Sequence, residues 1–214
     1  MKRCRILSLL LFLFLALSSF GWAMNAEELV DSLDRKYTSF KDLQMNFVQT
    51  IRSEVFTEER EFKGKMYLKN PDKFRVETLF EAVVSDGETL WVYSQQNKQV
   101  RKEKIGKGDN VFKPTEYLYN FKDKYDFRLD RKEEVKNSLC YQLVLNAKSK
   151  DLFITKLILW VEENSFLVKK LEYQDTNDNW VSFVFDKIKT NSGLKKSAFH
   201  FKPPPGVDIV DLTK

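Results

Sequence analysis

The alternation of apolar and polar residues changes period along this chain, and each change marks an element. From residue 25 the spacing is helical: Leu29, Leu33, Tyr37 and Phe40 recur at intervals of four and three, while Asp31, Asp34 and Arg35 point elsewhere. Asn25 followed three residues later by Glu28 has the form of a capping box, which predicts the helix start. From residue 42 the period is two. Leu43, Met45, Phe47 and Ile51 alternate with Gln44, Asn46 and Thr50. Phe62, Gly64, Met66 and Leu68 alternate with Lys63, Lys65, Tyr67 and Lys69 until Pro71, which donates no hydrogen bond, breaks the ladder. Phe74, Val76 and Phe80 alternate with Arg75 and Glu77 in a third strand. Asp86 and Gly87 both tolerate positive φ, so they predict a type I′ hairpin turn with a strand on either side, followed by another over 98–104.

Between 105 and 124 the alternation stops. Gly106 and Gly108 suit a loop, and Pro114 suits the first turn of a short helix carrying Tyr117, Leu118 and Phe121. Strands are then predicted over 125–129, 139–145, 152–162, 166–175 and 180–189, with EENS and TNDN as turns and Arg131 to Glu134 as an exposed hairpin end. A last arm, AFHFKPPPGVDIVD, alternates Phe199 and Phe201 before three prolines end it. Ten or more consecutive strands with one helix in front and one inserted predict a mainly β protein. Its core would be a single strongly curved antiparallel sheet, an incomplete, unclosed β-barrel with the helices against its concave face. One segment breaks the half-buried pattern: Leu90, Trp91, Val92 and Tyr93 are apolar on both faces. Both faces of that strand need cover, one of them from the helices.

Composition settles the address and narrows the chemistry. Lys2, Arg3 and Arg5 precede an apolar run from Ile6 to Leu17, and Gly21 and Ala23 form a small-x-small pair. That is the layout of a secretory signal peptide over residues 1–23, cleaved after Ala23, with an apolar run shorter than the roughly 20 residues of a spanning helix. Residues 24–214 form one domain. The leader takes three of the 36 basic residues with it, leaving 33 against 31 acidic ones, so no concentrated basic face for nucleic acid is expected. Cys4 precedes the apolar run, whereas a lipid-anchoring Cys follows it. Cys140, in LCYQLVL, is then left without a disulfide partner and reads as a buried structural thiol. Eighteen Phe, eight Tyr and four Trp supply apolar area instead.

Catalytic chemistry has little to draw on. A Ser-His-Asp or Cys-His arrangement would have to use His200, the single histidine, and one His with one Cys falls short of the usual zinc ligand set. Gly106-x-Gly108 lacks the third glycine and the strand-to-helix context of a phosphate loop. Glu58, Glu59 and Glu61 read as a solvated turn. An enzyme is unsupported by these residues, and no metal or cofactor site is expected. The residues alone read as a secreted, single-domain antiparallel β protein with much aromatic surface to bury.

Four segments carry a resemblance. LVDSLDRKYTSFKDLQMNFVQT, GKMYLKNPDKFRVE, SDGETLWVYSQQNKQV and AFHFKPPPGVDIVD, in that order and spacing, resemble the LolA family of periplasmic outer-membrane lipoprotein carriers. The resemblance implies helices that form a lid over an apolar cavity for lipoprotein acyl chains. It also implies a monomer loaded by an inner-membrane ABC transporter of the lipoprotein-releasing type and emptied by an outer-membrane lipoprotein receptor. A bare sixteen-carbon chain crossing water costs about 12 kcal/mol at about 0.8 per methylene, so a carrier needs an apolar surface and no catalytic residue. By that resemblance Leu33, Phe47 and Phe74, with Val76 as a same-face neighbour, are acyl-chain candidates. The alternation pattern adds Met66, Leu68, Trp91, Tyr93 and Leu118. The family's lid-holding Arg before the second-turn proline is Asn70 here, and Arg75 matches another basic position, so Asn70 and Arg75 mark the expected latch region. A lipid- or lipoprotein-sensing module of the same fold and a periplasmic hydrolase built on carboxylates are the other readings.

Overall fold

The computed structural model describes residues 24–52, 59–106, 112–119 and 121–213. The expected leader with its cleavage after Ala23, as well as Glu58 and Gly108, lies outside them. Helix α1 (Ala26–Thr38) begins where the capping box predicts. Glu28 N donates to Asn25 Oδ1 at 2.9 Å, and Asn25 N donates to Glu28 Oε2 at 3.1 Å. Glu27 and Glu28 in the first turn and Arg35 and Lys36 in the last suit the helix dipole.

Among the described residues twelve strands make one sheet. Six precede the second helix: β1 (Leu43–Arg52), β2 (Arg60–Lys69), β3 (Lys73–Thr78), β4 (Glu81–Asp86), β5 (Thr89–Ser94) and β6 (Gln99–Lys104). After helix α2 (Pro114–Leu118) come β7 (Tyr125–Val135), β8 (Ser138–Ala147), β9 (Ile154–Glu162), β10 (Val168–Asp175), β11 (Trp180–Thr190) and β12 (Asp208–Asp211). Their order is β12-β6-β5-β4-β3-β2-β1-β11-β10-β9-β8-β7, so β1 and β11 join the two runs of hairpins and the sheet is not closed. Every pairing is antiparallel except β12 with β6.

Four local expectations are corrected. The hairpin turn at Gly87-Glu88 has positive φ at Gly87 alone (99°), as in a type II′ turn, because Asp86 stays in β4 and its Oδ1 accepts from Glu88 N and Thr89 N. Strand β3 ends at Thr78, whose hydroxyl accepts from Phe80 N and Glu81 N, so Leu79 and Phe80 form the turn. The charge run Arg131 to Glu134 lies within β7, an edge strand bulged between Leu129 and Lys132, where charged side chains stay solvated. Phe199 closes a 3-10 turn (Lys196–Phe199), and a strand follows the prolines instead of preceding them.

Side-chain alternation divides the sheet into an inner and an outer face. Leu29, Leu33 and Tyr37 of α1 and Tyr117 and Leu118 of α2 share one buried cluster with the inward residues of the strands. On the outer face Ala82, Val84, Trp91, Val100 and Phe201 form a separate cluster, with Tyr93 and Val207 packed against it. Leu90 thus faces the helices' side and Trp91 the other, and the second cover of β5 is the C-terminal arm. Asp42 aims that arm. Its buried carboxylate accepts from Ser192 N (2.7 Å), Ser192 Oγ (2.9 Å), Gly193 N (3.0 Å) and Leu194 N (3.0 Å). Burial alone would raise its pKa, but these donors outweigh burial and hold the carboxyl below its ordinary value. Cys140 is buried and free, its thiol pushed up to about 11 by burial.

Candidate functional site

The strands of the concave face run from a helix-covered end to an open mouth. At the mouth lies a cavity of about 550 Å³, within the range of small-molecule sites. Ile51, Phe62, Phe80 and Val181 give it apolar walls, and Gln49, Thr78, Ser94 and Gln96 line its polar side. Arg60, Glu81, Asp175 and Asn179 bring charge and amide groups to the lining. Asp175 fixes the β10–β11 turn, its Oδ1 accepting from Asn177 N at 2.8 Å and Asn179 N at 3.1 Å. Phe62 and Phe80 meet edge to face at 6.3 Å. Phe80 is 50% exposed and its neighbour Leu79 78%, so the β3–β4 turn is an apolar lip on the mouth.

Behind the cavity the concave face is filled. Phe112 stacks on Tyr117 (5.4 Å), Tyr173 (5.2 Å) and Phe183 (5.0 Å), joining α2 to β10 and β11. On β11, Val181 lines the cavity, Phe183 belongs to this stack and Phe185 to the core beyond it. On β1, Ile51 and Gln49 line the cavity and Phe47 lies in the core. Both strands therefore read, from the mouth inward, cavity and then packed interior.

The sequence-derived site residues divide three ways against this geometry. Leu33, Phe47, Met66, Leu68, Phe74 and Leu118 come together in one cluster, with Val76 packed against it, but none of them lines the cavity. They form the close-packed interior between the helices and the sheet. Trp91 and Tyr93 are not with them: they lie on the outer face beneath the C-terminal arm, Tyr93 5.5 Å from Phe201 and Trp91 5.4 Å from His200. Asn70 is exposed in the β2–β3 turn, and Arg75 points outward, pairing with Glu77 at 2.6 Å and donating to Ala198 O at 3.3 Å. The Arg75 bond is to the 3-10 turn Lys196–Phe199 of the C-terminal arm, not to α1 or α2. Two other contacts hold the helices. Tyr37 Oη accepts from Val168 N at 3.0 Å, and Lys122 pairs with Asp31 at 2.5 Å.

The residues that line the cavity are not among the sequence-derived candidates, although a signal for them exists. Inward positions of β1 read Leu43, Met45, Phe47 and then Gln49, and on β3 Phe74 and Val76 are followed by Thr78. Where an inward stripe turns polar, the packed core has ended.

Residues 38–202 match the family model described as outer membrane lipoprotein carrier protein LolA. The chain belongs to the LolA family. It is 27% identical over 205 residues to an outer-membrane lipoprotein carrier protein of Legionella pneumophila strain Paris, covering 94% of this chain and 98% of that one. An uncharacterised protein of Methanocaldococcus jannaschii is 25% identical over 208 residues; the match covers 96% of this chain but spans 59% of the relative's length. The solved structure of an uncharacterised conserved protein from Thermus thermophilus shares the fold, with TM-score 0.57 at 13% identity over 87% of this chain and 98% of that one. Among the described residues no three His, Cys, Asp or Glu side chains are grouped to hold a metal ion.

Proposed function

We propose that this LolA-family protein is exported to the periplasm with its leader removed after Ala23, and there carries the acyl chains of lipoproteins between membranes. An inner-membrane transporter of the lipoprotein-releasing type loads it, and an outer-membrane receptor accepts the cargo. The observation that carries this reading is the partly apolar cavity at the mouth of an unclosed sheet whose packed interior is shared with the two helices. Ile51, Phe62, Phe80 and Val181 replace water around the first part of a chain. Longer chains enter by displacing the Phe112 stack and the helices, exchanging the protein's own apolar contacts for those of the ligand.

Mass spectrometry of the mature protein purified from periplasm is expected to find acylated protein bound. Phe62→Glu, which puts a charge in the cavity wall at a half-buried position, is expected to remove that cargo while circular dichroism and the melting temperature hold. An unchanged cargo load would overturn the placement of the site.

A further inference from the structure

An open sheet has two edges, and here they are built differently. The β7 edge carries Arg128, Asp130, Arg131, Lys132, Glu133 and Glu134 and a bulge, the features by which sheets discourage further pairing. The β12 edge is regular, without a bulge, and carries charge only at its ends, Asp208 and Asp211, the latter paired with Lys102 at 3.0 Å. Ile209 is 56% exposed, Val210 38% and the adjoining Leu212 54%, and no described strand lies beyond them. Asp208 N donates to Lys98 O at 2.9 Å and Leu212 N to Lys102 O at 2.7 Å. Backbone groups alternate sides along a strand, so the N–H and C=O of Ile209 and Asp211 point away from β6, toward open space.

This edge lies beside the cavity mouth. Ser94 and Gln96 line the cavity, and Lys98, two residues on, is the acceptor that receives Asp208 at the start of β12. From β5 to β12 is two strand spacings, roughly 10 Å. β12 begins at the mouth and runs away from it, parallel to β6. A protein acylated at its first residue, with its acyl chain in the cavity, would leave the mouth in the same direction.

We propose that the free edge of β12 takes the extended N-terminal segment of the acylated cargo protein as a further, parallel strand. This rests on the carrier reading above. Backbone pairing needs no particular cargo sequence, which suits a carrier of many proteins. The tethered segment sits at an effective concentration on the order of millimolar, so even weak pairing adds to retention.

The mature protein is titrated with palmitic acid and with a short Ser/Thr/Val peptide palmitoylated at its first residue. Wild type is expected to bind the acylated peptide about tenfold more tightly than palmitic acid. Hydrogen exchange at the Ile209 and Asp211 amides should slow with the peptide probe alone. Ile209→Pro removes an outward N–H and leaves the bonds to β6 in place; it should abolish the tenfold difference and keep palmitic acid affinity. If both probes bind wild type equally and the two amides stay unprotected, the edge proposal falls and the carrier reading stands. If neither probe binds, both fall. An Ile209-dependent dimer of the chain alone, with those amides already protected, would assign the edge to a second copy and overturn the proposal. Should Ile209→Pro fail to fold, the wild-type exchange data decide.

Discussion

Gly64 has no side chain because its neighbours occupy the space a Cβ would need. On the inward face of β2, an added methyl would overlap Phe47 Cζ and the Glu77 carbonyl, with Phe47 Cε1 at 2.8 Å. Gly64→Ala is therefore expected to destabilise by about 1–3 kcal/mol in urea unfolding. Adding Phe47→Leu should recover part of that, since the ring contact is relieved and the backbone contact is not. Asp42 gives a prediction with a pH sign. Its folded pKa lies below the ordinary 3.8, so its contribution is fully present above that value and lost as pH falls through the folded one. Asp42→Asn should cost about 1–3 kcal/mol near neutral pH, because Ser192, Gly193 and Leu194 lose a charged acceptor. The deficit should shrink on acidification below the ordinary value, as read from melts at a series of pH values. A constant deficit would mean that the carboxylate charge plays no part in holding the arm.

At the scale of elements, period and capping were readable wherever one face is buried and the other wet. Asn25 with Glu28 marked α1, and Met66 and Leu68 against Lys65 and Tyr67 marked β2 with its inward face. Legibility failed where long-range contacts decide. Trp91 and Tyr93 are apolar for the sake of Phe201, more than a hundred residues away, and no local period reveals which partner covers which face. The β12 strand is four residues after a proline run and owes its existence to β6. The filled interior likewise depends on Phe112, an aromatic in a loop that joins α2 to two strands. The bond that ties α1 to β10 escapes a local reading for the same reason: it is made by Tyr37, a residue that also fits ordinary core packing. Tyr37→Phe leaves the buried Val168 N–H without its acceptor and is expected to destabilise by about 1–3 kcal/mol. In hydrogen exchange the Val168 amide and α1 should open faster while β1 and β2 keep their protection. Uniform loss of protection would show that α1 is part of a single cooperative unit and does not move separately.

For the whole molecule, the consequence is that capacity depends on ligand length. The cavity at the mouth is present with the helices in place, whereas further room requires moving the Phe112 stack away from Tyr173 and Phe183. While a fatty acid is short enough to stay in the mouth, each methylene added should improve binding by about 0.8 kcal/mol, roughly fourfold in Kd. Once the cavity is full, each further methylene must also displace protein contacts, so a plot of log Kd against chain length should bend and flatten. Loosening the lid changes only the second part. Tyr37→Phe should steepen the long-chain segment and leave the short-chain slope as in wild type, as measured by titration calorimetry across a series of saturated fatty acids. A single straight line in both proteins would mean that the interior opens without cost, and the aromatic stack would then be no barrier to the cargo.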